Sequence, residues 1–252
     1  MILAIDAGNS RTKWGVFDAA GELQVHGACL NIDLATMQVP LAWKSCKRVV
    51  ISNVAGPAVA ETLKALLGTL DVSIRWIMPT GSACGVKNGY ASPQQLGADR
   101  WAALIAAWHH YHKPCVVVNA GTALTIDALA TDGHYGVFVG GLIVPGIRLM
   151  QQSLAHGTAG IAELPGSFSD FPVSTGNAVY SGVLLAAAGA IKAMFANLQY
   201  RENEPPRCIL NGGDAALLAD VLASDAEVAK HVVIADNLVL QGLLLMEKGA
   251  VE

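Results

Sequence analysis

The chain has 252 residues, 53% of them hydrophobic and only 14% charged, with a formal net charge of −4. That length and apolar content supply one large domain or two modest ones, each with its own core. With so little charge and no basic stripe, a protein built on contacts to a phosphate backbone is excluded, and no nucleic-acid partner is expected.

The N-terminus, Met1 to Asp6, has no basic leader and meets an acidic residue at once, so it does not read as a signal peptide. The opening is a β-meander: a strand over Ile2–Asp6, a turn at Ala7 to Ser10, a strand over Thr12–Asp18, and a third over Leu23–Ala28. Arg48–Val54 is a further strand, followed by a helix with Pro57 at its start and Gly68 past its end. Val72–Met78 is a strand and Asp99–His112 a helix stopped by Lys113-Pro114. The pattern then starts over, with strands at Cys115–Asn119, Ala123–Leu129 and His134–Gly140. Helices follow at Ile147–Ala155, Asn177–Leu198, Asp214–Leu222 and Asp236–Lys248, with strands Arg207–Leu210 and His231–Ala235 between them. The apolar run from Gly182 to Ile191 is broken by Lys192, short of the roughly 20 residues a membrane span needs, so no membrane is expected. Five cysteines without C-x-x-C spacing read as reduced thiols of a cytoplasmic protein.

Repetition of a strand, a Gly turn, a return strand and helices predicts a duplicated α/β domain, divided as 1–113 and 114–252. The two echoing turns carry the candidate chemistry. In Asp6-Ala7-Gly8-Asn9-Ser10-Arg11-Thr12-Lys13, the glycine permits close backbone approach, Asn9, Ser10 and Lys13 offer donors, and Asp6 can hold Mg²⁺ directly or through water. The same residues also read as a polar hairpin turn. In the second turn, from Asn119 to Asp127, Thr122 offers a hydroxyl, while Thr125 and Asp127 also suit local hydrogen bonds. A third segment, Leu210-Asn211-Gly212-Gly213-Asp214-Ala215, fits either close passage of the chain against an adenine or ribose, or a plain Gly turn with Asp214 as helix N-cap. Asp99 likewise reads as an N-cap from spacing alone. His109 and His112 share a helix face, but the helix C-terminus explains imidazoles there without a metal. Glu202 to Pro206 reads as an exposed connector.

Asp-x-Gly-x-Ser/Thr, a second Asx-x-Gly-Thr and a late Gly-Gly resemble the phosphate-1, phosphate-2 and adenosine motifs of the actin/hexokinase/acetate-kinase superfamily. Asn88-Gly89-Tyr90-Ala91-Ser92-Pro93-Gln94-Gln95-Leu96-Gly97-Ala98-Asp99-Arg100 resembles the N-x-Y-x-x-P-x-x-L-G-x-D-R signature of type III pantothenate kinases. Gly140 to Gly146 and Thr175 to Ala178 fit that family too, so the likeness runs from Met1 to about Asp214.

The resemblance implies two ribonuclease H-like domains of the actin/hexokinase-like fold around a central ATP cleft. It implies phosphorylation of pantothenate by ATP with Mg²⁺ at the first step of coenzyme A synthesis, by a cytoplasmic homodimer with a shared substrate pocket. Asp99 matches the proton acceptor; Tyr90, Gly97, Ala98, Asp99 and Arg100 match the pantothenate site, and Thr175 a contact reaching across the subunit interface. Asp6, Ala7, Gly8, Asn9, Ser10, Arg11, Thr12, Lys13 and Thr122 match ATP-contacting positions. One position departs from the pattern: the family usually carries Asp where this chain has Asn119, which puts the monovalent cation (K⁺ or NH₄⁺) held there in doubt. Rival readings are a kinase for another small hydroxylated substrate, and a non-catalytic nucleotide-binding regulator of transcription, which the family also contains.

Overall fold

A computed structural model describes residues 1–158, 161 and 165–249. The chain forms two compact units, one from Met1–Tyr111 together with the segment from Asn237 onward, the other from His112–Asp236.

In the first unit, β1 (Ile2–Ala7), β2 (Arg11–Phe17) and β3 (Leu23–Leu30) form the expected meander. β4 (Arg48–Asn53) and β5 (Ser73–Trp76) join β1 on its other side in parallel, giving the order β3-β2-β1-β4-β5. Strand alternation sorts the faces. Leu3, Ile5 and Ala7 enter a cluster with Trp43 and with Leu63 and Leu67 of α1 (Pro57–Leu67), so Asp6 points to the opposite face. That face is covered by α2 (Ala98–Tyr111) and by α7 (Leu238–Lys248). A short hairpin, β6 (Ser82–Ala83) and β7 (Val86–Asn88), precedes α2 and was not anticipated from the sequence.

The second unit repeats the order. β8 (Cys115–Ala120), β9 (Ala123–Thr131) and β10 (Gly136–Pro145) form a meander, and β11 (Arg207–Asn211) and β12 (Val232–Ile234) add in parallel beside β8. α3 (Ile147–Gly157), α4 (Thr175–Glu202), α5 (Ala215–Leu222) and the short α6 (Ala226–Ala229) complete it. α4 is long and apolar enough to cross a membrane, but its Val183, Leu184, Ala187, Ile191, Phe195 and Leu198 are buried in this unit's core.

Three expectations need correction. β10 continues past Gly140, because Gly140 takes φ +137° at a bulge and lets the strand go on instead of ending it. α4 starts two residues early, since the Ser174 hydroxyl accepts from Asn177 N–H as its N-cap. The last helix, expected in the second domain, belongs to the first unit: Leu238, Leu240, Leu243 and Leu244 are buried there, and Gly242 lies so close to the Ala102 backbone that a Cβ would collide with it.

Candidate active site

Asp6 is the penultimate residue of β1, with Lys13 of β2 opposite it and Ser52 of β4 beside it, three side chains on one face near one end of the sheet. The carboxylate is buried, and among the described residues neither its Oδ1 nor the fully buried Ser52 hydroxyl has a hydrogen-bond partner. Burial pushes Asp6 up to about 7, with the negative charge of Asp99 adding to the effect, while Lys13 and the nearby Ser52 hydroxyl work against it.

Asp99 lies at the start of α2, on the side of the sheet that Asp6 faces. The helix begins at Ala98, so Asp99 sits in the first turn and is not the N-cap; its Oδ1 accepts from the Arg100 N–H at 2.8 Å. Burial raises its pKa although that N–H and the Arg100 guanidinium both favour the charged form. Gly97 is required by this arrangement: a Cβ there would stand 2.5 Å from Asp99 Oδ1. Arg100 is 5% exposed, donates to the Tyr90 hydroxyl at 3.3 Å, and lies 5.9 Å from the centre of the Tyr90 ring. A half-buried base and a held cation therefore sit side by side on consecutive residues, suited to a substrate with a hydroxyl and an anionic group.

The Gly8 turn closes with Gly8 N–H donating to Arg11 C=O at 3.1 Å. Asn9, Ser10 and Arg11 are exposed at its tip, and Thr12 is fully buried behind it. In the second unit, Asn119 holds the place on β8 that Asp6 holds on β1, and Asn211 is its partner on β11 as Ser52 is for Asp6. Asn211 Nδ2 donates to Asn119 Oδ1 at 3.5 Å. Thr122 is exposed on the turn, while Asp127 lies buried down β9. Gly212, at φ +106°, passes so close to the Ala120 carbonyl that no Cβ fits, whereas Gly213 faces open space. Asp214 occupies the N-cap position of α5 without a capping hydrogen bond. Gly146 is pressed against the Gly121 and Thr122 carbonyls and donates to the latter at 2.9 Å. Thr175 lines a groove of about 750 Å³ with α3 and α4 residues, and neither Asn119 nor Thr122 borders it.

Elsewhere, His110 Nε2 meets Gln241 Oε1 at 2.5 Å, and no group of three His, Cys, Asp or Glu able to hold a metal forms among the described residues. Sequence reading missed Ser52 and Asn31, whose partners are remote in the chain, and it named Gly146 only within the Gly140 to Gly146 motif, without its close neighbours.

Two sheets that share one order over five strands, each with a glycine hairpin after its first strand, define the actin/hexokinase-like fold. Solved structures agree on the fold. A protein of Sinorhizobium meliloti described as a 2-dehydro-3-deoxygalactonokinase superposes with a TM-score of 0.63, 13% identity and 99% coverage of both chains. One of Campylobacter jejuni described as a Baf family transcriptional activator gives 0.59 at 21% identity, covering 98% of this chain and 97% of its own. At those identities the likeness is one of fold alone. A family model described as type III pantothenate kinase matches residues 2–197. The type III pantothenate kinase of Methylobacillus flagellatus is 50% identical over 255 residues, with 98% of each chain covered. The chain belongs to the type III pantothenate kinase family.

Proposed function

We propose that Asp99, Arg100 and the Gly8 turn carry the transfer of the ATP γ-phosphoryl group to the primary hydroxyl of pantothenate. The chain is a pantothenate kinase, making 4′-phosphopantothenate for coenzyme A biosynthesis. The observation that carries the assignment of residues is the pair of Asp6 and Asp99, both raised by burial, with Asp99 acting electrostatically on Asp6.

In this reading Asp99 orients the pantothenate hydroxyl and takes its proton late in the transfer, since phosphoryl transfer proceeds through a loose transition state. Arg100, steadied by Tyr90, pairs with the substrate carboxylate, and Gly97 and Ala98 border it. Asn9, Ser10, Arg11 and Lys13 donate to ATP phosphates, Ala7, Gly8 and Thr12 shape the turn, and Thr122 is a further ATP contact. Asp6 suits a divalent cation, Mg²⁺ in this reading, because its buried Oδ1 has no partner among the described residues. That cation supplies charge neutralisation at the phosphates. Asn119 offers only an amide oxygen, already facing Asn211 Nδ2, so a monovalent cation is held weakly there or not at all.

We place the active form in a homodimer, through the apolar groove beside Thr175, where the lining residue Val173 is 97% exposed. Dilution should then lower scattering mass and activity together; a fully active monomer would refute the shared pocket. We place the reaction in the cytoplasm, where its five free thiols stay reduced. Purified protein with ATP, Mg²⁺ and pantothenate should release ADP and yield pantothenate heavier by one phosphoryl group. ATP turnover indifferent to pantothenate would overturn the substrate assignment, and the absence of turnover would favour a regulator.

A further inference from the structure

Asn31 lies just past the end of β3, with no neighbour in sequence that belongs to the site. Yet every polar group of this residue is engaged, and all but one bond goes to the Gly8 turn. Its Nδ2 donates to Gly8 C=O at 2.7 Å and to Asn9 C=O at 3.1 Å. Its Oδ1 accepts from the buried Thr12 hydroxyl at 2.9 Å. Its backbone N–H donates to Ser10 C=O at 3.1 Å, and its own carbonyl accepts from Leu34 N–H at 3.3 Å.

The orientation of the amide is forced, because only an NH₂ group can meet two carbonyls while the oxygen beside it meets a hydroxyl. In a planar trans peptide the N–H points opposite the C=O. Holding the carbonyls of Gly8 and Asn9 from behind therefore turns the N–H groups of Asn9 and Ser10 away from Asn31. Consecutive amides turned outward on a tight loop make a concavity for anions. We propose that Asn31 is a positioning residue for the nucleotide: its carboxamide fixes the turn so that the amides of Asn9 and Ser10 are set for the phosphates of ATP before ATP arrives. Preorganisation of this kind appears as affinity, since the turn need not be ordered on binding.

The inference rests on the reading that this turn binds ATP, and the test separates the two. Asn31→Asp keeps the acceptor for Thr12 but sets a carboxylate oxygen against two carbonyls; Asn31→Ala removes the whole clamp. Calorimetric titration with ATP and Mg²⁺, without pantothenate, should show affinity reduced about tenfold or more in both variants. The KM for pantothenate at saturating ATP should be unchanged. Lys13→Ala serves as the control for the turn itself. If Lys13→Ala weakens ATP binding and Asn31→Asp does not, the clamp is refuted and the reading of the turn stands. If Lys13→Ala also leaves ATP binding intact, the turn is not the ATP site and the clamp falls with it. An Asn31→Asp protein that fails to fold would make Asn31 a determinant of the fold and overturn the positioning role.

Discussion

Asp6 should make the first unit less stable as the pH rises, and replacing it with Asn should remove that dependence. Its pKa goes from 3.8 to about 7 on folding, chiefly through burial. Between those values the native protein holds a proton that the unfolded chain has released, so stability falls with rising pH. The contribution is fully present below the unfolded value and is lost as the pH passes through about 7. At 1.36 kcal/mol per unit, the shift corresponds to on the order of 4 kcal/mol. All five tryptophans, Trp14, Trp43, Trp76, Trp101 and Trp108, lie in the first unit, so their fluorescence follows its unfolding alone. Urea unfolding of cation-free, nucleotide-free protein should therefore show Asp6→Asn gaining on the wild type by about that amount between pH 4 and pH 7.5. Asp99 is present in both proteins, so its own raised pKa largely cancels in the comparison. Parallel curves for the two proteins across this range would mean that Asp6 does not hold a proton in the folded state.

Asp99→Asn keeps the shape of the side chain and an oxygen for the Arg100 N–H, but it cannot take a proton. Turnover should fall about 10²–10⁴-fold with little change in unfolding midpoint, and activity within a few-fold of wild type would leave Asp99 as a helix-start residue only. Gly97→Ala places a Cβ 2.5 Å from Asp99 Oδ1 and must rotate the carboxylate away, so kcat should drop about tenfold or more while ATP affinity, measured by titration, stays as it was. Rates measured against K⁺ in buffer otherwise free of K⁺ and NH₄⁺ should show weak dependence in the wild type. Asn119→Asp should tighten K⁺ activation by roughly 10–150-fold, and strong activation of the wild type at low-millimolar K⁺ would refute the role given to Asn119.

What the sequence revealed follows from how local each signal is. The turns at Gly8 and Gly121 and the Tyr90 to Arg100 segment are contiguous, and turn chemistry or a spaced signature marks them directly. Asn31 carried no such mark, because its meaning depends on β3 returning alongside β2 with Leu30 opposite Arg11. Ser52 gains its place only when β4 pairs in parallel with β1. Gly140-Gly141 read as a strand end because a left-handed glycine at a bulge and one at a turn look alike in sequence. The sequence could not tell the two glycines apart: the close neighbour that demands a glycine at Gly212 is the Ala120 carbonyl, remote in the chain, while Gly213 is the one left open.

The membership of α7 in the first unit sets an order of events on the ribosome. All the proposed catalytic residues, Asp6 to Arg100, emerge early, but the helix that covers their sheet is translated after the entire second unit. At ordinary elongation rates that delay is on the order of ten seconds. Meanwhile the second unit, continuous in sequence, is free to close, while the face of the first sheet awaiting Leu240 and Leu243 stays open to unwanted contacts. A nonsense codon just before Leu238 would thus spare every residue assigned to the chemistry and still leave the face of their sheet without the helix that packs on it.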